Sequence, residues 1–350
     1  MSQALPPYSQ HLPHAPGASG ALPAASLDPS AGAHRVKRVL VLMYSQSGQL
    51  ARVAERIAAP LRESAGIELH IETLQVQPAY PFPWPFFRFL DAFPESALTH
   101  PPALAPLTLT GGEDFDLVIL PYQVWFLAPS PPVTAFLRHP VGRRLLHGKP
   151  VVTVIACRNM WLQAQEKMKG LLASCGARLI DNVVLVDPGP TLATFITTPR
   201  WMFTGRRGAF WGLPPAGLSD GQIAATRRFG LGLRDALARD AERSNAPVLT
   251  GLGAVNVDPK LYISEKVGTR SFFVWGSLLR AAGPPGSPQR VPLLAIYVAF
   301  LVVMIVTIVP LSLALQALLR PVLRPWLGRI KHQFEMPSGS ATDRLPLYED

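Results

Sequence analysis

The run YSQSGQ (44–49), directly after the apolar stretch VLVLM, places two hydroxyls, Ser45 and Ser47, beside a glycine, Gly48. Successive backbone N–H groups at such a turn, backed by a helix N-terminus, make a concave site for a phosphate. The same letters equally suit a hydrophilic corner between a strand and a helix. The spacing matches neither GxxxxGK[ST] nor GxGxxG, so a nucleoside triphosphate or a dinucleotide is a poor fit. Two more stretches bear on the choice. PYQVWFLAPSPP (121–132) offers the flat rings of Tyr122, Trp125 and Phe126 in a segment stiffened by prolines. Such rings either stack on an aromatic cofactor or simply pack a loop. CRNMW (157–161) sets Arg158 and Asn159 at another strand-to-helix turn, where Arg158 either lends positive field to a ligand, caps a strand end or sits in solvent.

Other chemistry is thinly represented. Cys157 ends an apolar run and reads as a small hydrophobe, and with Cys175 it forms neither a CxxC pair nor a disulfide framework. The histidines never fall in metal-ligand spacing, so no metal is expected, and no ketosynthase-type set of cysteine and histidines is assembled. Arg200, Arg206, Arg207, Arg227 and Arg228 suit three anionic partners: the 2′-phosphate of NADPH, lipid headgroups, or an acyl-carrier protein.

Elements that would position these loops follow from periodicity. RVLVLM (38–43) is apolar on both faces, as a strand covered by helices on each side. QLARVAERIAAPL (49–61) puts Leu50, Val53, Ala54, Ile57 and Leu61 on one helical face. IELHIETL (67–74), FDLVILP (115–121), KPVVTVIAC (149–157) and ARLIDNVVLVD (177–187) read as further strands. Helices are predicted over 131–139, 161–176 and 219–243, the last opening with Ser219 and Gln222 in capping-box spacing. FFRFLDAF (86–93) reads as one or two turns on an exposed aromatic surface, and 188–217 as a long loop, either a lid or a surface contact. Five strands alternating with helices make an open parallel sheet, whose ligands bind at the strands' carboxyl ends.

The chain of 350 residues carries a formal net charge of +10 but is 48% hydrophobic. Its basic residues are scattered among Trp and Phe near a very apolar tail, which suits an anionic membrane surface better than a nucleic-acid groove. Residues 1–34 lack both Lys or Arg and an apolar run, so they read as a disordered leader and leave the folded part in the cytoplasm. The segment 291–319 holds no charge and exceeds the roughly 20 residues that cross a bilayer. A single crossing would send the basic stretch 320–335 outside, against the positive-inside tendency. Pro310 offers the alternative of a kinked, re-entrant helix, with 271–280 lying along the interface and Trp84, Phe86, Phe87 and Phe89 facing lipid. The expected organisation is a leader (1–34), an α/β domain (35–245), a connecting region (246–290), a transmembrane or re-entrant helix (291–319) and a basic, then polar tail (320–350).

Taken together, YSQSGQLARVAERI after VLVLM, FDLVILPYQVWFLAPSPPVTAFL and GKPVVTVIACRNMW resemble the flavodoxin-like NAD(P)H-dependent oxidoreductases, which bind FMN. The resemblance covers about 38–187, with 219–243 completing it, and implies a strand order of 2-1-3-4-5 with helices on both faces. It assigns the FMN phosphate to Ser45, Ser47, Gly48 and Gln49, although Leu50 stands where a threonine is common, so one hydroxyl is missing. It assigns the isoalloxazine edge to Gln123, Val124, Trp125 and Phe126, with Arg158 and Asn159 on the third loop. NAD(P)H as electron donor and a homodimer shaping the pocket are further implications. CRNMW with the 188–217 segment resembles bacterial proteins labelled dialkylresorcinol condensing enzymes. The expected protein is an FMN-dependent oxidoreductase attached to the bacterial inner membrane, its domain cytoplasmic, passing electrons to a quinone or lipid-like acceptor. Alternatives are an accessory reductase, cyclase or condensing partner in aryl-lipid biosynthesis, and a non-enzymatic membrane scaffold.

Overall fold

Strand β1 (Lys37–Met43) has no wet face: Val39, Leu40, Val41 and Leu42 are all fully buried. It pairs in parallel with β2 (Ile67–Thr73) on one side and β3 (Leu117–Trp125) on the other, followed by β4 (Pro150–Cys157) and β5 (Arg178–Val186). The order β2-β1-β3-β4-β5 is that of the flavodoxin-like fold. This computed structural model describes residues 35–348; the predicted leader lies outside the described residues.

Helix α1 (Gln49–Arg62) joins β1 to β2. Two short helices, α2 (Phe86–Asp91) and α3 (Phe93–Ala97), then precede β3. Helices α4 (Pro131–Arg138) and α5 (Pro140–Leu146) lead to β4, and α6 (Leu162–Ser174) leads to β5. Because parallel crossovers are right-handed, moving from β1 to β2 in one direction and from β3 to β5 in the other puts α1 on the face opposite α4 and α6. The order therefore reverses between β1 and β3, and a crevice opens above their carboxyl ends.

Two expectations are corrected beyond β5. The predicted loop at 188–217 contains a helix, α7 (Thr191–Thr204), which stops at Gly205 with φ +73°. Threonines and an internal Pro199 dilute its apolar periodicity, so no stripe marks it in the sequence. The single helix predicted at 219–243 divides into α8 (Asp220–Ala225), which carries the Ser219/Gln222 capping box, and α9 (Arg227–Leu237). At the break, the buried Thr226 hydroxyl donates to Ile223 O at 2.6 Å. Helix α9 packs on α1 so closely that a β-carbon on Gly230 would stand 2.1 Å from Ile57 O.

The chain after α9 continues to pack on this domain. Val184 N in β5 donates to Ala254 O at 2.8 Å, and Leu249, Leu252 and Val255 are buried. Helix α10 (Leu261–Ala281) absorbs the predicted interfacial stretch, and α11 (Arg290–Val303), a π-helical segment (Met304–Ile308) and α12 (Val309–Leu318) make up the apolar one. The wider π turn lies just ahead of Pro310, whose missing N–H and ring bulk disrupt a regular ladder. Arg290–Ser312 is long and apolar enough to cross a membrane, by length and composition, and is mostly exposed. Helix α13 (Arg320–Glu335) follows, and the tail returns to the sheet: Gly253 N donates to Ala341 O at 2.7 Å and Ser338 Oγ to Asp181 Oδ1 at 2.7 Å.

Candidate functional site

The turn after β1 bends at Gly48, whose φ of +82° is costly for other residues, and α1 starts immediately beyond it. Ser45 Oγ accepts from Ala51 N at 3.1 Å, so this hydroxyl caps α1. Gln49 is committed elsewhere too: its amide accepts from Leu218 N at 2.9 Å and donates to Leu218 O at 3.1 Å. Ser47 lines the crevice, with the first amides of α1 behind it. Of the four residues assigned to a phosphate, Ser47 and Gln49 border the cleft, Ser45 supports it from behind, and Gly48 supplies the bend.

Gln123, Val124, Trp125 and Phe126 all line the same cleft, at the end of β3. Trp125 sits among rings, with centroids 5.3 Å from Tyr80, 5.6 Å from Trp84 and 6.2 Å from Tyr44. Burial pushes the Tyr80 phenol up to about 12 and raises Tyr44 further, so both stay neutral hydrogen-bonding groups. The chain then reverses in a two-residue hairpin, Trp125 pairing with Ala128, through Phe126 at φ +49° and Leu127 at φ +56°. Hairpins of this length require positive φ, and a side chain there costs roughly 1–2 kcal/mol per residue. Packing holds the strained pair: Phe126 meets Phe89 at 4.9 Å and Phe93 at 5.2 Å, and Ser96 Oγ donates to Trp125 O at 3.0 Å.

The third loop places Arg158 in the cleft, while Asn159 lies outside its lining with a buried, unpaired Oδ1. The Arg158 guanidinium covers the Phe195 ring at 4.1 Å and reaches Thr194 Oγ1 at 3.5 Å, both on α7. Burial lowers its pKa, against the opposing pull of Asp187. Asp187 closes the segment that follows β5, accepting from Gly189 N at 2.8 Å and Gly217 N at 2.6 Å. Cys157 also lines the cleft, and desolvation holds its thiol well above the ordinary value, so it is not a thiolate nucleophile.

Two walls of the cleft escaped the sequence reading. Phe82, Trp84 and Phe89 come from the proline-rich 75–110 region, Thr198, Trp201, Met202 and Gly217 from 188–217, and Leu218 follows directly. Their only signal was the density of aromatic residues in both segments. Trp84 is not a lipid-facing residue: it is 3% exposed, and its backbone N donates to Met202 O at 2.8 Å, joining the two walls. Phe86 and Phe87 remain exposed, and Phe89 is half-buried. The five arginines do not make one anion site. Arg200 and Arg207 brace carbonyls of 206–218, Arg227 pairs with Glu63 at 3.0 Å, Arg228 donates to Leu252 O, and Arg206 is exposed.

The result is a cleft of about 220 Å³ at the crevice between β1 and β3. Two buried polar atoms in its wall, Gln123 Oε1 and Thr198 Oγ1, have no hydrogen-bond partner. An anion cradle at one end and flat rings along the sides fit a phosphorylated planar heterocycle. Among the described residues, no cluster of His, Cys, Asp or Glu could hold a metal.

No family model matches the chain, and no curated protein matches it. Solved structures similar to it include a flavoprotein in complex with FMN from Lactobacillus acidophilus NCFM, at 18% identity and TM-score 0.33 over 42% of this chain and 93% of that one. Flavodoxin 1 from Bacillus cereus is similar at 14% identity and TM-score 0.30, covering 56% and 95% of the two chains. An NADH:FMN oxidoreductase in its apo form is similar at 13% identity and TM-score 0.28, covering 56% and 89%.

Proposed function

We propose that the cleft binds FMN and that the protein is a membrane-attached oxidoreductase, taking electrons from NAD(P)H and delivering them to a quinone or lipid-like aromatic acceptor. The reading is carried by the place of the cleft at the crevice between β1 and β3, where Ser47 and the start of α1 stand beside walls made by Trp84, Trp125 and Trp201. A phosphorylated planar heterocycle fills the space between the rings. Bound FMN supplies the redox chemistry. The chain's own residues hold and tune it. Ser47 and the first amides of α1 receive the phosphate, Gln123 and Thr198 orient the ring edge, and the tryptophans exclude water. Arg158, beside Asp187, keeps positive charge at the third loop, where it favours a reduced, anionic ring.

The apolar wall supports the choice of acceptor. Ring contacts run without a break from Trp84 through Phe89, Phe126 and Phe93 to Tyr297 of α11, linking the cleft to the apolar helix. The same wall would suit a reductase acting on a resorcinol-like lipid in an aryl-lipid pathway. Anaerobic addition of NADPH or NADH to the FMN-loaded protein should bleach the flavin absorbance, and a quinone or an alkylresorcinol should restore it. Protein that takes up FMN but is reduced by neither nucleotide and discharged by neither acceptor would contradict the oxidoreductase reading.

A further inference from the structure

We propose that α10–α13 attach the protein to one leaflet of an anionic bilayer, lying in its plane, so that the sheet and the C-terminal tail stay on the same side. The inference rests on the membrane-attached reading above and specifies its geometry.

Both ends of the apolar segment are fixed to the domain. At the start, Arg290 is 1% exposed, and its guanidinium donates to Glu95 at 2.8 Å and Asp91 at 3.2 Å. Tyr297 stacks on Phe93 at 4.4 Å with ring planes 10° apart. At the far end, Trp326 of α13 lies 5.6 Å from Tyr262 of α10, and Phe334 is buried against Trp161.

Lengths decide the path. Trp275, near the end of α10, touches Tyr297, at a similar distance past the 282–289 turn, so α11 folds back on α10 as the second arm of an antiparallel pair. From Tyr297 to Leu318 the helix advances about 32 Å, and from Trp275 back to Tyr262 the distance is about 20 Å, at 1.5 Å per residue. The seven residues from Leu319 to Trp326 return about 10 Å, which closes the difference. The apolar helix therefore starts against the later half of α10, and its far end is brought back by α13 toward the start of α10. Helix α10 cannot itself be threaded through lipid, because the domain covers its inner face from end to end: Glu265 meets the first turn of α6, Gly268 meets Leu127, Phe272 meets Phe93, and Gly276 meets Leu98. A helix whose far end stays about 10 Å from a docked ring does not reach across a hydrocarbon core of about 30 Å.

The exposed face has the composition of an interfacial one. Val267, Val274 and Leu278 share one outward stripe of α10, with Lys266 and Arg270 beside it. Val302, Val306 and Leu315 extend the apolar surface, and Arg324, Arg329 and Lys331 on α13 are exposed at its end. Apolar burial together with basic residues at the headgroups is how interfacial helices bind anionic membranes.

The test uses the full chain bound to vesicles of phosphatidylcholine and phosphatidylglycerol. An environment-sensitive fluorophore is placed in turn on Val291→Cys, Val306→Cys and Leu318→Cys, with unmodified protein giving the background from Cys157 and Cys175. Lipids carrying a quencher near the headgroup or deep in the chains then report depth. Protein that floats with the vesicles, releases several-fold at high salt, and shows all three positions quenched more by the shallow lipid agrees with the inference. Val306 quenched most by the deep lipid, with Val291 and Leu318 shallow, would overturn it in favour of a crossing helix while leaving membrane attachment intact. Protein that fails to float would overturn membrane attachment itself.

Discussion

Leu127, held at φ +56°, lies where its Cδ1 would be 3.0 Å from a β-carbon placed on Gly268 of α10. The strained turn at the ring side of the cleft and the first C-terminal helix are thus one packing unit. Gly268→Val should push the turn out of place, lowering stability by about 1–3 kcal/mol through overpacking and weakening FMN binding several-fold. Thermal melts and flavin titration check this. Gly268→Ala, in which helix propensity gains up to about 1 kcal/mol, should stay close to wild type.

Gly217 closes the opposite wall. Its φ is +76°, and a β-carbon there would stand 2.6 Å from Gln49 Oε1 and 2.8 Å from the Trp201 ring. Gly217→Ala should therefore break the two-way bridge between Gln49 and Leu218, costing about 1–3 kcal/mol. Loss of FMN affinity should accompany the lower melting temperature. An unchanged melt with unchanged affinity would show that the bridge does not shape the cleft.

Glu265 gives a pH signature. Its Oε2 accepts from Gln163 N at 2.8 Å while Oε1 is unpaired, and burial pushes the carboxyl up to about 7 from its ordinary 4.5. Between those values the folded protein keeps a proton that the unfolded chain has released, so stability falls as pH rises through this window and levels off above it. Glu265→Gln should remove that slope. The variant should match wild type near pH 5 and exceed it near pH 8 by on the order of 1–3 kcal/mol. Asp181, pushed up to about 6 by burial, leaves a smaller slope of the same sign in both proteins. Parallel curves of melting temperature against pH for the two proteins would contradict the role given to Glu265.

Arg290 anchors the start of α11. Replacing it with Ala leaves the Asp91 carboxylate, 18% exposed, without this cation and Glu95, 13% exposed, with Arg280 alone at 3.1 Å. Removing one partner of a buried pair costs about 3–5 kcal/mol, and the remaining exposure of the carboxylates places the loss at or below that range. The 283–290 connection should become an early cleavage site in limited proteolysis, whereas Arg290→Lys should restore part of the protection.

The sheet was legible because its inner strands are buried on both faces, as Val39 to Leu42 illustrate, and apolar runs of that kind have few other homes. The loops at Ser47, Trp125 and Arg158 followed from the sheet, since they lie at strand ends near the reversal of order. What stayed hidden depends on partners distant in sequence. Trp84 reads as a surface ring among prolines until Met202 O receives its N–H, and Gln49 reads as a phosphate ligand until Leu218 takes both ends of its amide. Helix α7 carries Thr198 and Trp201 on a surface partly polar and partly aromatic, a pattern with no periodic signature. The return of the tail is likewise set by long-range hydrogen bonds, among them Ser338 on Asp181 and Gly253 on Ala341.

The central claim is that the cleft receives FMN between its aromatic walls. Its most direct test is titration of the purified full-length protein with FMN, following flavin fluorescence, alongside Trp125→Ala and Thr198→Val. Saturable quenching by wild type, weakened at least tenfold in Trp125→Ala and several-fold in Thr198→Val with the fold retained by circular dichroism, is the predicted result. Wild-type protein that neither carries nor quenches FMN, or variants that bind it as wild type does, would contradict the assignment; the former would leave a flavodoxin-fold scaffold without a flavin.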